Sequence, residues 1–192
     1  MIKPLVTKRL ILRDFLPIDW EVVSAFLSDL DVTRYMHFGK YSSSELKNWF
    51  EWCLENNQLE RPIAYNRAIV LKTSERLIGW FGIGKPSKPS MPGERDFGFA
   101  LDKQFWGNGY MTEALQAVLA YEFEHLEAKR IFATCETENT ASARVMQKAG
   151  MQYEGTFYEA DFEGNEANRH QYAINRGEFE AIKNSGFAQD LS

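Results

Sequence analysis

The sequence is poor in the features that mark membrane, secreted and metal-binding proteins. Its 192 residues include 2 cysteines, Cys53 and Cys135, without a Cys-x-x-Cys pair or a histidine at metal-ligand spacing. We therefore expect neither a disulfide nor a metal site. No run of about 20 uninterrupted apolar residues occurs, and the beginning lacks the pattern of a secretory signal. We accordingly expect a cytoplasmic protein without membrane contact.

Positive charge is also scarce. There are 22 lysines and arginines against 27 aspartates and glutamates, which gives a net charge of −5. Proteins that bind duplex nucleic acid depend on basic residues that neutralise phosphates, so direct nucleic-acid binding is not expected and a basic partner is favoured. The length predicts one domain over residues 1–192, with a flexible tail after about residue 185. We expect a monomer or a homodimer.

Apolar periodicity predicts a sheet with helices packed on it. The unit over residues 96–136 reads strand, helix, strand, and predicts a parallel pair because a helical crossover returns the chain in the same direction. The fold class is therefore α/β or α+β. Strands are predicted at 9–13, 68–72, 77–83, 96–101, 131–136, 152–158 and 168–174, and helices at 18–30, 42–57, 109–126 and 139–148.

Three local signals give helix ends and a turn. Ser42 followed by Glu45 is a capping-box pattern for a helix start. Gly150 occupies the place where a left-handed residue ends a helix. The turn residues at 163–165 separate the last two predicted strands.

Two glycines precede the longest predicted helix. Gly107 and Gly109 follow the strand that ends at Leu101, and such a pair lets the backbone approach a ligand closely and direct successive N–H groups at it. The natural ligand of such a loop is an anion, usually a phosphate. The same pair is also compatible with a flexible turn.

Two familiar phosphate-binding loops do not match this segment. A Walker A loop needs Lys and then Ser or Thr after its last glycine, whereas Tyr110 and Met111 follow here. A dinucleotide-binding turn needs its first glycine directly after the first strand and Gly or Ala at the third place, which Thr112 occupies here.

Three motifs in the same order resemble those of one protein family. Gln104-x-x-Gly107-x-Gly109-Tyr110-x-Thr112-Glu113-Ala114 resembles the acyl-CoA pyrophosphate loop of GNAT-type N-acetyltransferases. Glu138-Asn139-x-x-Ser142-x-x-Val145-x-x-Lys148-x-Gly150 resembles the downstream segment of their branch that acetylates ribosomal-protein N-termini. The opening Thr7-x-Arg9-Leu10-Ile11-Leu12-Arg13 is also similar. The resemblance covers nearly the whole chain.

The resemblance implies a fold and a cosubstrate. The fold is a mixed, mostly antiparallel sheet of six to seven strands with helices on both faces and a splayed central parallel pair. Acetyl-CoA would place its pantetheine arm in the splay and its diphosphate on backbone N–H groups at the following helix start. No metal is implied. The residues that would bind acetyl-CoA are Phe99, Ala100, Leu101, Gln104, Trp106, Gly107, Asn108, Gly109, Tyr110, Met111, Thr112, Asn139, Ser142 and Lys148.

The resemblance also implies two catalytic residues. Asp96 stands where the family often has a Glu two residues before a Gly-aromatic pair, and we expect it to act as a base through water because aspartate is shorter. Ser142 would protonate the leaving thiolate. Plainer interpretations stay open, since Asp96 could be a structural carboxylate and Ser142 a first-turn serine bonded to backbone. Asn139 could bind pantetheine, cap the helix, or do both.

The acceptor is an amine, and chemistry favours an α-amine. An α-amine with a pKa of about 7.7 to 8.0 is partly neutral at pH 7, whereas neutralising a lysine costs about 4.6 kcal/mol there. We therefore expect acetyl transfer to a protein N-terminus, such as that of a basic protein, with loops 33–41 and 158–168 as the acceptor wall. Alternatives are a small amine such as a polyamine, amino sugar or aminoglycoside, and an acyl-CoA-binding module without catalysis. The last is favoured by Asp96 in place of Glu and by Met146 where some relatives have a tyrosine acid.

Overall fold

Eight strands of the described residues form one mixed sheet. The computed structural model describes residues 3–36, 41–59, 64–86, 90–160 and 166–185. The strands are β1 (Leu5–Val6), β2 (Leu10–Asp14), β3 (Ala64–Leu71), β4 (Leu77–Gly84), β5 (Glu94–Leu101), β6 (Arg130–Glu136), β7 (Gln152–Ala160) and β8 (Glu166–Asn175). The helices are α1 (Trp20–Leu27), α2 (Leu30–Thr33), α3 (Ser43–Asn56), α4 (Tyr110–His125), α5 (Thr140–Lys148) and α6 (Arg176–Asn184).

The strand order is β1-β2-β3-β4-β5-β6-β8-β7. Every neighbouring pair is antiparallel except β5 and β6, which are parallel as the crossover helix α4 requires. The predicted mixed, mostly antiparallel sheet is therefore confirmed. Its strand count exceeds the expected six to seven because β1, two residues long, pairs with β2. A strand of two residues is too short to show an alternating pattern.

Two apolar cores lie on opposite faces of the sheet, so the prediction of helices on both faces is confirmed. Leu115 of α4 and Met146 of α5 belong to the first core, with Leu101 of β5. Phe50 of α3 belongs to the second core, with Ala100 of β5. Since successive residues of a strand point to opposite faces, β5 contributes alternately to both cores.

The local signals for helix ends are confirmed. Ser42 and Glu45 form a capping box, with the Glu45 N–H on Ser42 Oγ at 3.3 Å and the Ser42 N–H on Glu45 Oε2 at 2.8 Å. Hydrogen bonds donated to the Glu45 carboxylate by the Ser42 hydroxyl and by the Ser42 N–H lower the pKa of Glu45. Gly150 follows α5 with a φ of +93°, the left-handed conformation that suits glycine.

The prediction of one helix over 18–30 was wrong. A 3₁₀ turn at Pro17–Asp19 leads into α1, and a new helix, α2, begins at Leu30. The break occurs because Asp29 has an extended backbone and its side chain accepts the Asp31 N–H at 2.9 Å, which caps α2 instead of continuing α1.

A further helix, α6, was not predicted. It begins with a capping box between Asn175 and Glu178, and its apolar residues Phe179 and Ile182 pack against the first core. The Asn-x-x-Glu spacing is the signal that would have located it. The predicted turn at 163–165 and the tail after residue 185 lie outside the described residues.

Candidate active site

The parallel strands β5 and β6 pair only at their beginnings. Their register partners are Glu94 with Arg130, Arg95 with Ile131 and Asp96 with Phe132. Beyond these, β5 stays paired with β4 as far as Leu101, and β6 stays paired with β8 as far as Glu136. The two strands therefore diverge between residues 97–101 and 133–136, and the predicted splay is confirmed. We call this opening the cleft.

One wall of the cleft is a strand edge whose backbone groups do not pair with another strand of the described residues. The Asp102 N–H donates to the Ile78 carbonyl at 2.9 Å, on the β4 side of the strand. Because alternate residues of a strand direct their backbone groups to opposite sides, those of Phe97, Phe99 and Leu101 face the cleft. The described part of β6 offers them no pairing partner there.

Ala100, one of the residues predicted to bind acetyl-CoA, directs its backbone groups to β4 and not to the cleft. Ala100 lies between the cleft-facing residues, pairs in register with Trp80 of β4 and is buried in the second core. The Leu101 carbonyl accepts the indole N–H of Trp106 at 2.8 Å. Trp106 thereby ties the end of β5 to the loop that follows it.

The loop before α4 carries two glycines in the left-handed conformation. Gly107 and Gly109 both have a φ of +76°, and Gly109 is the N-cap of α4 without a side-chain cap. The first bond of the helix runs from the Glu113 N–H to the Gly109 carbonyl at 3.1 Å. The N–H groups of Tyr110 and Thr112, with Met111 between them, consequently lack a carbonyl partner within the helix. These amides and the helix dipole suit an anion.

Side chains brace this loop from within. The Asn108 amide donates to the Phe105 carbonyl at 3.2 Å and to the Trp106 carbonyl at 3.0 Å. The Gln104 N–H donates to Asp102 Oδ1 at 3.0 Å. A Cβ at Gly107 would meet nothing within 4 Å, so the space in front of this loop is open.

The predicted base belongs to β5, and the predicted acid belongs to the helix that follows β6. Asp96 is half-buried at its closed end, between its register partners Gly84 and Phe132. Ser142 is in the first turn of α5, which follows β6, and its N–H donates to Asn139 Oδ1 at 3.1 Å. The Ser142 hydroxyl makes no hydrogen bond to any of the residues that the structure describes. Both catalytic roles stay predictions.

Two other predicted residues lie along α5. Asn139 is the N-cap of this helix, so the capping role is confirmed and the pantetheine contact stays a prediction. Lys148 is in the last turn, at the far end of the helix from Ser142, and its carbonyl accepts the Gln116 amide at 3.4 Å. Its predicted contact with acetyl-CoA stays a prediction.

A cavity of about 520 Å³ lies beside the open end of β6. It joins segments from both loops that were expected to form the acceptor wall, although residues 37–40 and 161–165 of those loops lie outside the described residues. Three carboxylates and one guanidinium give it a mixed but mainly acidic lining. Its lining residues are Arg34, Tyr35, Glu136, Thr137, Glu138, Glu166, Ala167 and Asn168.

An ionic link holds α2 against the segment that follows β5. Lys103 Nζ lies 2.8 Å from Asp29 Oδ2 and 3.2 Å from Asp31 Oδ2. The hydrogen bond from Lys103 lowers the pKa of Asp29. Arg34 and Tyr35 of the cavity follow α2 directly, so this link connects the cavity wall to the loop of the cleft.

The arrangement offers no covalent nucleophile in β6. The thiol of Cys135 is buried, and burial raises its pKa to about 11, so it is protonated at neutral pH. Among the described residues, no group of three or more His, Cys, Asp or Glu side chains is placed to hold a metal. The helices in the described part of the chain are too short or too polar to cross a membrane.

One feature of the site was missed in the sequence. Arg9 belongs to the opening motif, to which the sequence assigned no function. It hydrogen-bonds to Asn108 in the loop and to Glu113 in the first turn of α4. A separation of about a hundred positions hides such a contact from local patterns. The similarity of the opening motif to the family was the only available signal.

The comparison with protein families gives a direct match. Residues 9–152 match the model of the acetyltransferase (GNAT) domain. The chain is 33% identical over 173 residues to the uncharacterized N-acetyltransferase YnaD of Bacillus subtilis, a match that covers 88% of this chain and 95% of YnaD.

Solved structures of this family have the same fold. A GNAT acetyltransferase from Bacillus anthracis superposes with a TM-score of 0.76 and 31% identity, covering 91% of this chain and 99% of that one. RimL, a ribosomal L7/L12 α-N-protein acetyltransferase in complex with coenzyme A, superposes with a TM-score of 0.74 and 19% identity, covering 90% and 98%. With its divided parallel pair and glycine loop, the chain belongs to the GNAT family and is an N-acetyltransferase.

Proposed function

We propose that the protein transfers the acetyl group of acetyl-CoA to the α-amino group of a protein N-terminus. The observation that carries the proposal is the cleft, which opens next to the uncapped start of α4 and closes at the pair Asp96 and Phe132. The open end offers amides for a diphosphate, and the closed end offers a carboxylate. The reaction needs the amides at the diphosphate end of acetyl-CoA and the carboxylate at its thioester end.

The chain's own groups fit acetyl-CoA as a substrate. The N–H groups from Gly107 to Thr112 would donate to the diphosphate oxygens, since Gly107 and Gly109 are left-handed and the first N–H groups of α4 lack helical partners. The edge groups of Phe99 and Leu101 would bond the pantetheine amides. Asp96 and Leu101 are separated by about 17 Å of extended strand, a length that an extended pantetheine arm can follow.

The proposed reaction is direct attack. Asp96, acting through a water molecule, takes a proton from the amine while the amine nitrogen bonds to the thioester carbonyl carbon. The C–S bond then breaks, and the Ser142 hydroxyl protonates the departing sulfur and regains its own proton from solvent. The products are the N-acetylated acceptor and the free thiol. A protonated, buried Cys135 supports the absence of an acyl-enzyme step.

The acceptor class rests on charge and on the chemistry of amines. An α-amine needs little help to become neutral at pH 7, which suits a base that acts through water. The fold is shared with RimL, an α-N-protein acetyltransferase of the ribosomal protein L7/L12. The cavity at Glu136, Glu138 and Glu166 favours a cationic chain, such as the N-terminal segment of a basic protein. The two free, buried cysteines support activity in the cytoplasm.

The same three glutamates favour one alternative, a small polyamine. A polyamine carries several positive charges in a short chain, and a cavity of about 520 Å³ can hold one. Amino sugars and aminoglycosides belong to the same alternative. A polyamine needs a base to remove its proton, because its amines have a higher pKa than an α-amine.

A panel of acceptors tests the proposal. Binding of acetyl-CoA is first measured by calorimetry. Thiol release is then followed with three classes of acceptor. These are peptides with free N-termini, Nα-acetylated versions of these peptides that carry one lysine, and the small amines spermidine, an amino sugar and an aminoglycoside. We expect thiol release with free N-termini and none with the blocked peptides. Release with the small amines alone would replace the proposal by the alternative, and binding without any turnover would indicate an acyl-CoA-binding module.

A further inference from the structure

The side chain of Arg9, in the segment that joins β1 to β2, contacts three residues in the loop before α4 and in the first turn of this helix. Its Nε lies 2.6 Å from Glu113 Oε2, and its Nη1 donates to the Asn108 carbonyl at 3.0 Å. Its guanidinium carbon lies 4.5 Å from the centre of the Tyr110 ring. One side chain from the N-terminal segment therefore holds the loop, the helix start and the first turn of α4 together.

The carboxylate that receives Arg9 is itself fixed. Glu113 accepts the Thr7 hydroxyl at 2.6 Å and the Arg9 backbone N–H at 2.8 Å, in addition to Arg9 Nε. Its side chain is 11% exposed, and although burial raises its pKa, the hydrogen bonds from Thr7 and Arg9 make the net change a lowering. The Arg9 guanidinium therefore binds a negatively charged carboxylate that other hydrogen bonds hold in place. The planar arrangement of its N–H donors matches the geometry of a carboxylate.

The contact with Asn108 controls the direction of an amide. Asn108 lies between Gly107 and Gly109, and glycine tolerates many backbone conformations. In a trans peptide the carbonyl and the following N–H point in opposite directions. Arg9 therefore fixes the direction of the Gly109 N–H by holding the Asn108 carbonyl.

We propose that Arg9 is a positioning residue for the diphosphate of acetyl-CoA, acting through the loop backbone. The inference rests on the proposed function, because it concerns the same binding loop. Arg9 places the amides of residues 107–112 before the ligand arrives. Its own charge at the start of a helix is offset by Glu113.

The test compares ligands with and without a diphosphate. Affinities for CoA by calorimetry and for pantetheine by ligand-detected NMR are measured for the unmodified protein, Arg9→Lys and Arg9→Met. We expect both variants to bind CoA about tenfold more weakly, because backbone ordering then accompanies binding. Affinity for pantetheine stays unchanged. Lysine does not rescue, since one ammonium cannot hold Glu113, Asn108 and Tyr110 at once.

A matched control lies at the other end of the same helix. Arg176 donates to the carbonyls of Phe123, Leu126 and Ala128 around the end of α4. Arg176→Lys is expected to lower the unfolding temperature without changing the ratio of CoA to pantetheine affinity. The Arg9 variants keep the backbone bond to Glu113 and are expected to fold, which circular dichroism checks.

Hydrogen exchange provides a second readout without any ligand. Amides of residues 105–113 are expected to exchange faster in Arg9→Met than in the unmodified protein, while Arg176→Lys leaves them unchanged. Equal CoA affinity in all proteins, or an equal loss for CoA and pantetheine, would overturn the role of Arg9 while leaving the proposed function intact. Absence of CoA binding in the unmodified protein would overturn both.

Discussion

Asp96 and Phe132 are register partners, and they form the last pair between β5 and β6. On its other side Asp96 is paired with Gly84, so its backbone is fixed by strands on both sides. Asp96 is therefore at the point where β5 and β6 separate. The position suits a base that must reach an amine from within the protein while its own location stays constant.

Replacing Asp96 tests its role as the base. Asp96→Asn removes the carboxylate at similar size, so the reaction should depend on amines that are already neutral. We expect the pH–rate profile to move toward alkaline pH, with the affinity for acetyl-CoA unchanged. Asp96→Glu is the control and is expected to retain the original profile. An unaltered profile in Asp96→Asn would reject the assignment.

Replacing Ser142 tests its role as the acid. Ser142→Ala removes a hydroxyl that acts only as sulfur gains charge, so kcat should fall at least tenfold while the affinity for acetyl-CoA stays within about twofold. The helix start should persist, because its cap is the Ser142 backbone N–H on Asn139. Steady-state kinetics and calorimetry measure the two quantities. Ser142→Thr keeps a hydroxyl and should restore part of kcat, and an unchanged kcat in Ser142→Ala would exclude the role.

Gly107 isolates the backbone conformation of the loop. A Cβ there meets no atom within 4 Å, so Gly107→Ala acts only through the left-handed φ of +76°. We expect a loss of about 1 kcal/mol in unfolding free energy and weaker CoA binding. Gly107→Asn should lose less, since asparagine tolerates this conformation. Gly177→Ala, in α6, is the control and should leave CoA affinity unchanged. If Gly107→Ala bound CoA as well as the control does, the loop would not need this conformation.

Glu122 makes stability depend on pH. It is 1% exposed on α4, and burial raises its pKa from 4.5 to about 7, against the opposing effect of Arg95, whose Nε lies 3.6 Å from its Oε2. The folded protein thus holds a proton that the unfolded chain releases. Stability contributed by this group is complete below pH 4.5, declines as pH rises to about 7 and is constant above, by about 1.4 kcal/mol for each unit of pKa difference.

Substitution of Glu122 should remove that decline. Urea unfolding of Glu122→Gln between pH 4.5 and 8 is expected to show a flatter profile than the unmodified protein. Glu124→Gln is the control, because Glu124 is on the same helix and 36% exposed, with Lys183 as its partner. The same slope in Glu122→Gln as in the unmodified protein would show that Glu122 stays ionised in the fold.

Signals confined to a few residues were sufficient for the sequence-based predictions that the structure confirms. Ser42 with Glu45, Asn139 at the start of α5 and Gly150 after its end each depend on neighbours within four positions. The divided parallel pair followed from connectivity and from the resemblance of the loop to one family.

Features that depend on distant contacts were not predictable. The bond between Arg9 and Glu113 joins residues 104 positions apart, and no pattern within either segment indicates it. Asp29 interrupts a continuous apolar face because its side chain satisfies a backbone N–H, which competes with helix continuation. The cavity lining comes from three separate segments, so its acidic character emerges only when the sheet brings them together.

A crystal structure of the protein with CoA tests the central claim most directly. We expect the diphosphate on the amides of residues 107–112 and the pantetheine amides bonded to the backbone of Phe99 and Leu101, with the thiol near Asp96 and Ser142. A nucleotide bound elsewhere, or a pantetheine arm that passes outside the cleft between β5 and β6, would contradict the account.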